Sequence, residues 1–224
     1  MAEQASEKKK PFVFVDYVRE LTKGILDPIA AFFNRLGLHP NTMTLLGLLG
    51  NIIGAYFLAR GHMTIGCLLI LAMGPVDALD GAMARLRGEP SRFGAFVGSV
   101  TDRYSELVIF LGLLLYYWQE SNWLMALLTY LAAAGSVLVS YVRARGQSVG
   151  YDTKVGILSR FERYLVLVPS LVFNYPPAGI TIIALFANLT ALQRILDVRR
   201  QAYKEIFAAR KLQQQNDKQA GEDQ

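Results

Sequence analysis

The sequence predicts an all-α integral membrane protein, with six transmembrane helices preceded by an amphipathic surface helix. Three observations predict this. Of the 224 residues, 53% are hydrophobic and only 18% are charged, against about 25% charged in a typical soluble domain. The apolar residues also fall into blocks long enough to cross a bilayer. Finally, the cations gather at one set of block ends, although the net charge is only +5. A disordered chain, an acidic tail protein and an ordinary soluble enzyme are thereby excluded. The single cysteine, Cys67, excludes an intramolecular disulfide and a cysteine-based zinc site.

The elements follow in order. The first ten residues are polar, end in Lys8-Lys9-Lys10, and carry no evident signal peptide. Val18, Leu21, Ile25, Ile29, Phe32, Phe33 and Leu36 then recur at helical spacing with charges between them. That pattern suits a helix lying on the membrane surface or packed on the span bundle. Pro40 ends this region. Asn41–Ala59 is uncharged for 19 residues, and Gly61–Val76 forms a second block able to continue to Asp80. A third runs from about Phe93 to Trp118, and Ser121–Val142 is a fourth of 22 uncharged residues. Tyr164–Gln193 is uncharged but is interrupted by Asn174-Tyr175-Pro176-Pro177, and a proline pair ends a helix. Two spans flank that turn. The fifth must begin near Ile157 to approach the ~20 residues that a bilayer requires. Residues 1–40 are thus read as a cytoplasmic N-terminus with its interfacial helix, 41–198 as the transmembrane domain, and 199–224 as a polar cytoplasmic tail.

Charge supports that map. Six spans put 22 of the 23 lysines and arginines on one side, leaving only Arg60 on the other. Cytoplasmic loops carry such an excess, so both termini are expected in the cytoplasm. Tyr116, Tyr117, Trp118 and Trp123 flank an outer loop as an aromatic belt.

Four acids stand at or inside membrane depth: Asp77, Asp80, Asp102 and Glu106. Acids are costly there, which makes each a functional candidate. Asp77 and Asp80 are spaced i, i+3 and project from one face of a helix end. Gly81 permits close approach of a ligand or backbone. By topology Asp102 lies at the same level. Three carboxylates suit a hard cation such as Mg²⁺. The alternative is a set of buried acids paired with Arg85, Arg103 or Arg143. A second cluster is basic: Arg143 and Arg145, then Lys154, then Arg160 and Arg163. Arginine binds phosphate bidentately, whereas plain positive-inside charge would meet lipid headgroups. Acids for metal beside arginines for phosphate suggest phosphoryl chemistry on a lipid.

The run Asp77-Ala-Leu-Asp80-Gly81-Ala-Met-Ala84-Arg85, followed by Gly94 and Asp102, resembles the CDP-alcohol phosphotransferase signature D-x2-D-G-x2-A-R-x8-G-x3-D-x3-D. The resemblance extends through the surface helix, His39-Pro40-Asn41-Thr42-Met43-Thr44, the spans and the basic loop. It implies a six-span homodimer that moves the phosphatidyl group of a CDP-linked lipid, CDP-diacylglycerol, onto an alcohol and releases CMP. It further implies two divalent cations, usually Mg²⁺ with Mn²⁺ as the alternative, on the pyrophosphate. By position, Asp77 and Asp80 match metal ligands, and Asp102 matches a metal ligand and the base for the incoming hydroxyl. Asp77, Gly81, Ala84, Arg85 and Gly94 match the CDP-lipid contacts.

One position departs from that signature. Its third aspartate falls at Gly98, which offers no ligand, so the second metal is the one to suffer. Glu106, one turn beyond Asp102, is too deep to substitute. A weakened enzyme, a catalytically dead relative and an inactivating replacement all remain open. Ser140-Tyr141-Val142-Arg143-Ala144-Arg145 and Arg160-Phe161-Glu162-Arg163 resemble phosphatidylinositol-phosphate synthases, which implies Arg143, Arg160 and Arg163, with Arg194 or a neighbour, around the phosphate of inositol phosphate. Glycerol 3-phosphate would suit the same charges. A cation transporter is the rival reading, but the acids cluster toward the arginine-rich side rather than mid-membrane. Nucleic acid is not an expected partner, because topology dictates where the cations sit.

Overall fold

The computed structural model describes residues 14–88 and 91–222. Among them every regular element is helical: α1 (Phe14–Arg35), α2 (Pro40–Ala59), α3 (Met63–Leu86), α4 (Arg92–Gln119), α5 (Trp123–Ser148), α6 (Arg160–Val172) and α7 (Pro176–Glu222). Lys8, Lys9 and Lys10 lie outside the described residues, as do the side chains of Val18, Leu21 and Ile25.

Among the described residues, four helices are long and apolar enough to cross a membrane: α2, α3, α5 and the Pro176–Ala208 portion of α7. The fold is consistent with an integral membrane protein. Two of the six expected spans do not meet that criterion, for different reasons. The 28-residue α4 is long enough but carries Arg92, Asp102, Arg103 and Glu106 between its start and its middle turn. By contrast, α6 has only 13 residues, about 20 Å at 1.5 Å each. It does not begin near Ile157. The backbone N–H groups of Ile157 and Leu158 donate instead to Thr190 Oγ1, at 3.2 and 3.1 Å. Gly156, with φ +131°, turns the chain there. The break at Asn174–Pro177 matches expectation. Asn174 takes φ +53°, Tyr175 N–H donates to the Ser170 carbonyl at 2.8 Å, and Pro176 opens α7, where its missing N–H costs nothing.

The chain divides into two compact units, 1–49 with 72–101 and 50–71 with 102–224. In the first, Ala30, Met43, Leu79, Ala82 and Met83 form a small core, with Leu26, Phe33, Leu38 and Val76 against it. Thus α1 packs on the end of α3 rather than standing alone. Arg87 clamps the two, donating to Asn34 Oδ1 at 2.7 Å and to the Leu38 carbonyl at 2.6 Å, while Asn34 Nδ2 donates to the Met83 carbonyl.

The second unit holds the larger core, from Leu58, Cys67, Ile109 and Leu113 to Leu167, Leu171, Ile180 and Ile183. Here α7 packs along α5 and α6. Small residues bring backbones close, as they do between membrane helices. A Cβ added at Gly66 would stand 2.8 Å from the Gly54 carbonyl oxygen, and one at Gly112 would collide with the Ala55 carbonyl. Trp118 and Trp123 meet edge to face, with centroids 4.6 Å apart.

Candidate functional site

The signature residues of the first unit gather around one cavity of about 410 Å³. α3 supplies Asp80, Gly81, Ala84 and Arg85 to its lining; α4 supplies Gly94, Ala95 and Gly98. His39, Pro40, Asn41 and Thr44 close it from the start of α2, and Ser91 from the residue before α4. Four of the five expected CDP-lipid contacts, Gly81, Ala84, Arg85 and Gly94, are therefore brought together beside Asp80.

Local packing fixes the two acids of α3. Thr44 is 4% exposed, and its hydroxyl donates to Asp80 Oδ2 at 2.6 Å. That bond leaves one Asp80 carboxylate face set by α2. Asp77 does not line the cavity. It nests against Gly47, where any Cβ would collide with its carboxylate oxygen. At the other wall, Gly94 N–H donates to Ser91 Oγ at 2.8 Å, an N-cap bond on the first turn of α4. An added Cβ at Gly81 would lie 3.2 Å from Arg85 Nη1, so the arginine folds back over the glycine one turn before it.

Thr44, Gly47 and Ser91 were not expected as site residues. A hydroxyl one turn into an otherwise apolar span, and a small residue one further turn minus one, are weak signals in a sequence. Only the packing of α2 on α3 shows what they touch.

Gly98 faces the same space. Its built Cβ meets nothing nearer than Asp80 Oδ2, at 3.9 Å. A side chain at position 98 would therefore begin without a clash at its Cβ and beside the Asp80 carboxylate. Among the described residues no group of three or more His, Cys, Asp or Glu side chains is gathered to hold a metal ion. The donor chemistry nevertheless fits a hard divalent cation. Mg²⁺-type sites use one or two carboxylates and complete their octahedron with water and substrate phosphate oxygens. Asp77 and Asp80 are the residues that would hold it.

The second unit carries the remaining acids and the basic cluster. Asp102 is paired with Arg160, while Arg103 Nη1 lies 3.9 Å away. Arg160 also lies over the Tyr164 ring, 5.7 Å from its centroid. Arg163 is buried, and its guanidinium grips Glu106 with two bonds of 2.6 and 2.9 Å plus a third to the Leu158 carbonyl. Arg194 is 4% exposed and donates to the Val155 and Val139 carbonyls at 3.0 and 2.7 Å.

These placements sort the expected phosphate ligands. Arg143 is exposed and Arg160 half-buried. Arg163 and Arg194 are committed to protein partners and are not presented to a ligand. Glu106, set aside as a metal ligand, is the ion-pair partner of Arg163. The buried-acid alternative named Arg85, Arg103 and Arg143 as partners; Arg103 does pair with Asp102, but the closer partners, Arg160 for Asp102 and Arg163 for Glu106, were not among those named.

Comparison with known proteins adds to this geometry. The family described as CDP-alcohol phosphatidyltransferase matches residues 37–196. A phosphatidylinositol phosphate synthase of Streptomyces avermitilis is 38% identical over 205 residues, covering 83% of this chain and 82% of that one. An archaetidylinositol phosphate synthase of Pyrococcus horikoshii is 33% identical over 189 residues, covering 82% and 95%. The crystal structure of Mycobacterium tuberculosis phosphatidylinositol phosphate synthase with CDP-DAG bound aligns with TM-score 0.74 at 29% identity, covering 78% of this chain and 93% of that one. The same mycobacterial protein in complex with manganese and citrate aligns with TM-score 0.72 at 28% identity, covering 77% and 88%.

Proposed function

Because the chain belongs to the CDP-alcohol phosphatidyltransferase family and is a transferase, we propose that it moves the phosphatidyl group of CDP-diacylglycerol onto inositol phosphate and releases CMP. The observation that carries this reading is the cavity of the first unit, where Asp80, Gly81, Ala84, Arg85 and Gly94 converge. The CDP-DAG bound to the mycobacterial relative supports the donor. The names of the Streptomyces and Pyrococcus relatives support the acceptor.

Each residue then has a task. Gly81, Ala84 and Gly94 leave room for the cytidine nucleotide, and Arg85 meets phosphate charge. Asp77 and Asp80 hold a divalent cation; manganese in the mycobacterial relative supports that class of ion. When bound, such an ion neutralises charge on the pyrophosphate. Thr44 keeps the Asp80 carboxylate oriented. Arg160 and Arg143 receive the acceptor phosphate, and the incoming anion competes with Asp102 for Arg160. Asp102, so released, takes the proton of the acceptor hydroxyl. The active site and both termini face the cytoplasm, all six apolar segments cross the bilayer, and the enzyme works as a homodimer.

Gly98 favours a second, compatible reading, in which the enzyme is slowed by weak metal binding. The test is CMP release by purified protein supplied with CDP-diacylglycerol and Mg²⁺ or Mn²⁺. Inositol phosphate, glycerol 3-phosphate, serine and free inositol are offered in parallel, with Gly98→Asp alongside. Release with inositol phosphate alone, rising in Gly98→Asp, is the expected result. Release with glycerol 3-phosphate instead overturns the acceptor. No release from either protein overturns the proposed pairing of donor and acceptor for this chain.

A further inference from the structure

The family match ends at residue 196, but α7 continues to Glu222. The first turns of that continuation are two-faced. On one face Gln201 Nε2 donates to the Asp152 carbonyl at 3.0 Å and Glu205 accepts from Tyr151 OH at 2.8 Å. These bonds dock the helix on the 149–159 loop. Both acids of this stretch, Asp197 and Glu205, belong to that side.

The opposite face is of another kind. Leu196, Arg199, Arg200, Tyr203, Lys204 and Phe207 recur at intervals of three and one, and together they line a shallow surface depression. That spacing makes one stripe along a helix. It holds three cations, no acid, and two aromatic rings that are 50% and 66% exposed. The Arg199 guanidinium lies 5.4 Å from the centroid of the Tyr203 ring.

Depth decides what such a stripe meets. About 20 helical residues cross the hydrocarbon, so a span opening at Pro176 reaches the interface near Ile195. At 1.5 Å per residue, Arg199 to Lys204 then occupy roughly the next 6 to 14 Å, the headgroup layer. Tyrosine settles at that level, and lysine and arginine near the surface attract anionic lipid.

We propose that this face of α7 is a binding site for the headgroup of an anionic phospholipid, separate from the cavity of the first unit. The site rests on α7 crossing the membrane, not on the identity of the acceptor alcohol. Arg199, Arg200 and Lys204 hold the phosphate, Leu196 lies toward the glycerol and upper acyl region, and Tyr203 lies beside the headgroup.

The experiment uses the full chain in phosphatidylcholine vesicles containing either a photoreactive phosphatidylglycerol or a photoreactive phosphatidylcholine. Crosslinked peptides are mapped by mass spectrometry. Labelling within 196–207 by phosphatidylglycerol at least about tenfold above phosphatidylcholine is expected. The triple variant R199Q/R200Q/K204Q should abolish that preference. Arg210→Gln with Lys211→Gln, a further turn and more out of the headgroup layer, should keep it. Thermal midpoints and CMP release confirm that each variant is folded, and separate failure of this site from failure of the proposed activity. Equal labelling by both lipids overturns the proposal, as does preference retained in the triple variant. So does displacement of the label by millimolar inorganic phosphate, which would point to a soluble anion. Crosslinking of Tyr203→Cys to a second copy of the chain would assign the face to self-association and overturn it too.

Discussion

Arg163 and Glu106 form the most deeply buried ion pair described, with side chains 2% and 7% exposed. Removing one member of such a pair strands the other charge, which costs roughly 3–5 kcal/mol. Glu106→Ala should therefore lower the thermal midpoint of the detergent-solubilised protein sharply. The double variant Glu106→Gln/Arg163→Met, which leaves no charge behind, should recover most of the loss. If Arg163 bound the acceptor phosphate instead, Arg163→Met alone would raise KM in a protein of normal stability. Gly98 makes the opposite argument, since there a charge is missing. An aspartate there would sit beside Asp80, whose Oδ2 lies 3.9 Å from the added Cβ. Two carboxylates that close repel unless a cation lies between them. Gly98→Asp should thus melt below the parent in chelator and above it in Mn²⁺, because a ligand that binds only the folded state stabilises it. Equal Mn²⁺-dependent shifts in both proteins would sink this assignment.

At the scale of the element, helices were legible where hydropathy and helix breakers agree. The α2 and α5 spans and the Pro176 restart needed only runs of uncharged residues and a proline pair. The beginning of α6 was not legible, because it depends on a residue more than thirty positions away. A span of adequate length called for a start near Ile157, but Thr190 Oγ1 takes the N–H groups of residues 157 and 158. Thr190 is fully buried, so losing its hydroxyl would leave donors without a partner, at about 1–3 kcal/mol. Thr190→Val, close in shape, should destabilise by that amount, while Thr190→Ser should stay near the parent. A Thr190→Val protein as stable as the parent would mean that water replaces the bonds. The site divides in the same way. Asp80, Gly81, Ala84, Arg85 and Gly94 were legible because their spacing is a pattern within the chain, whereas Asp77, read from the same pattern, does not line the cavity. Thr44 and Gly47 were not, since their role comes from α2 packing on α3. Arg163 and Arg194 read as ligands because a sequence counts charges, and only their contacts reveal that they are occupied.

For the molecule as a whole, the open quantity is which helices cross. Length and composition admit α2, α3, α5 and α7, leaving α4 and α6 to be decided by charge. Were only those four to cross, the α5–α6 segment would face outward with Arg143, Arg145, Lys154, Arg160 and Arg163. Were α4 to cross but not α6, the C-terminal tail with Arg199, Arg200 and Lys204 would be the one outside. Either arrangement opposes the bias of lysine and arginine toward the cytoplasm. Six crossings keep both groups inside. They ask α6 to bridge with only 13 residues, an arrangement that bilayer thinning and the adjoining segments can accommodate at modest cost. Single cysteines at Glu120, Val149 and Tyr175, all exposed, separate the three cases. The native Cys67 is buried and should remain unlabelled as background. With a membrane-impermeant thiol reagent on intact cells, six crossings predict labelling of Glu120→Cys and Tyr175→Cys, and of Val149→Cys only after permeabilisation. Labelling of Val149→Cys and Tyr175→Cys without Glu120→Cys would mean four crossings. Labelling of Glu120→Cys alone would mean five, and would place the α7 stripe in the outer leaflet.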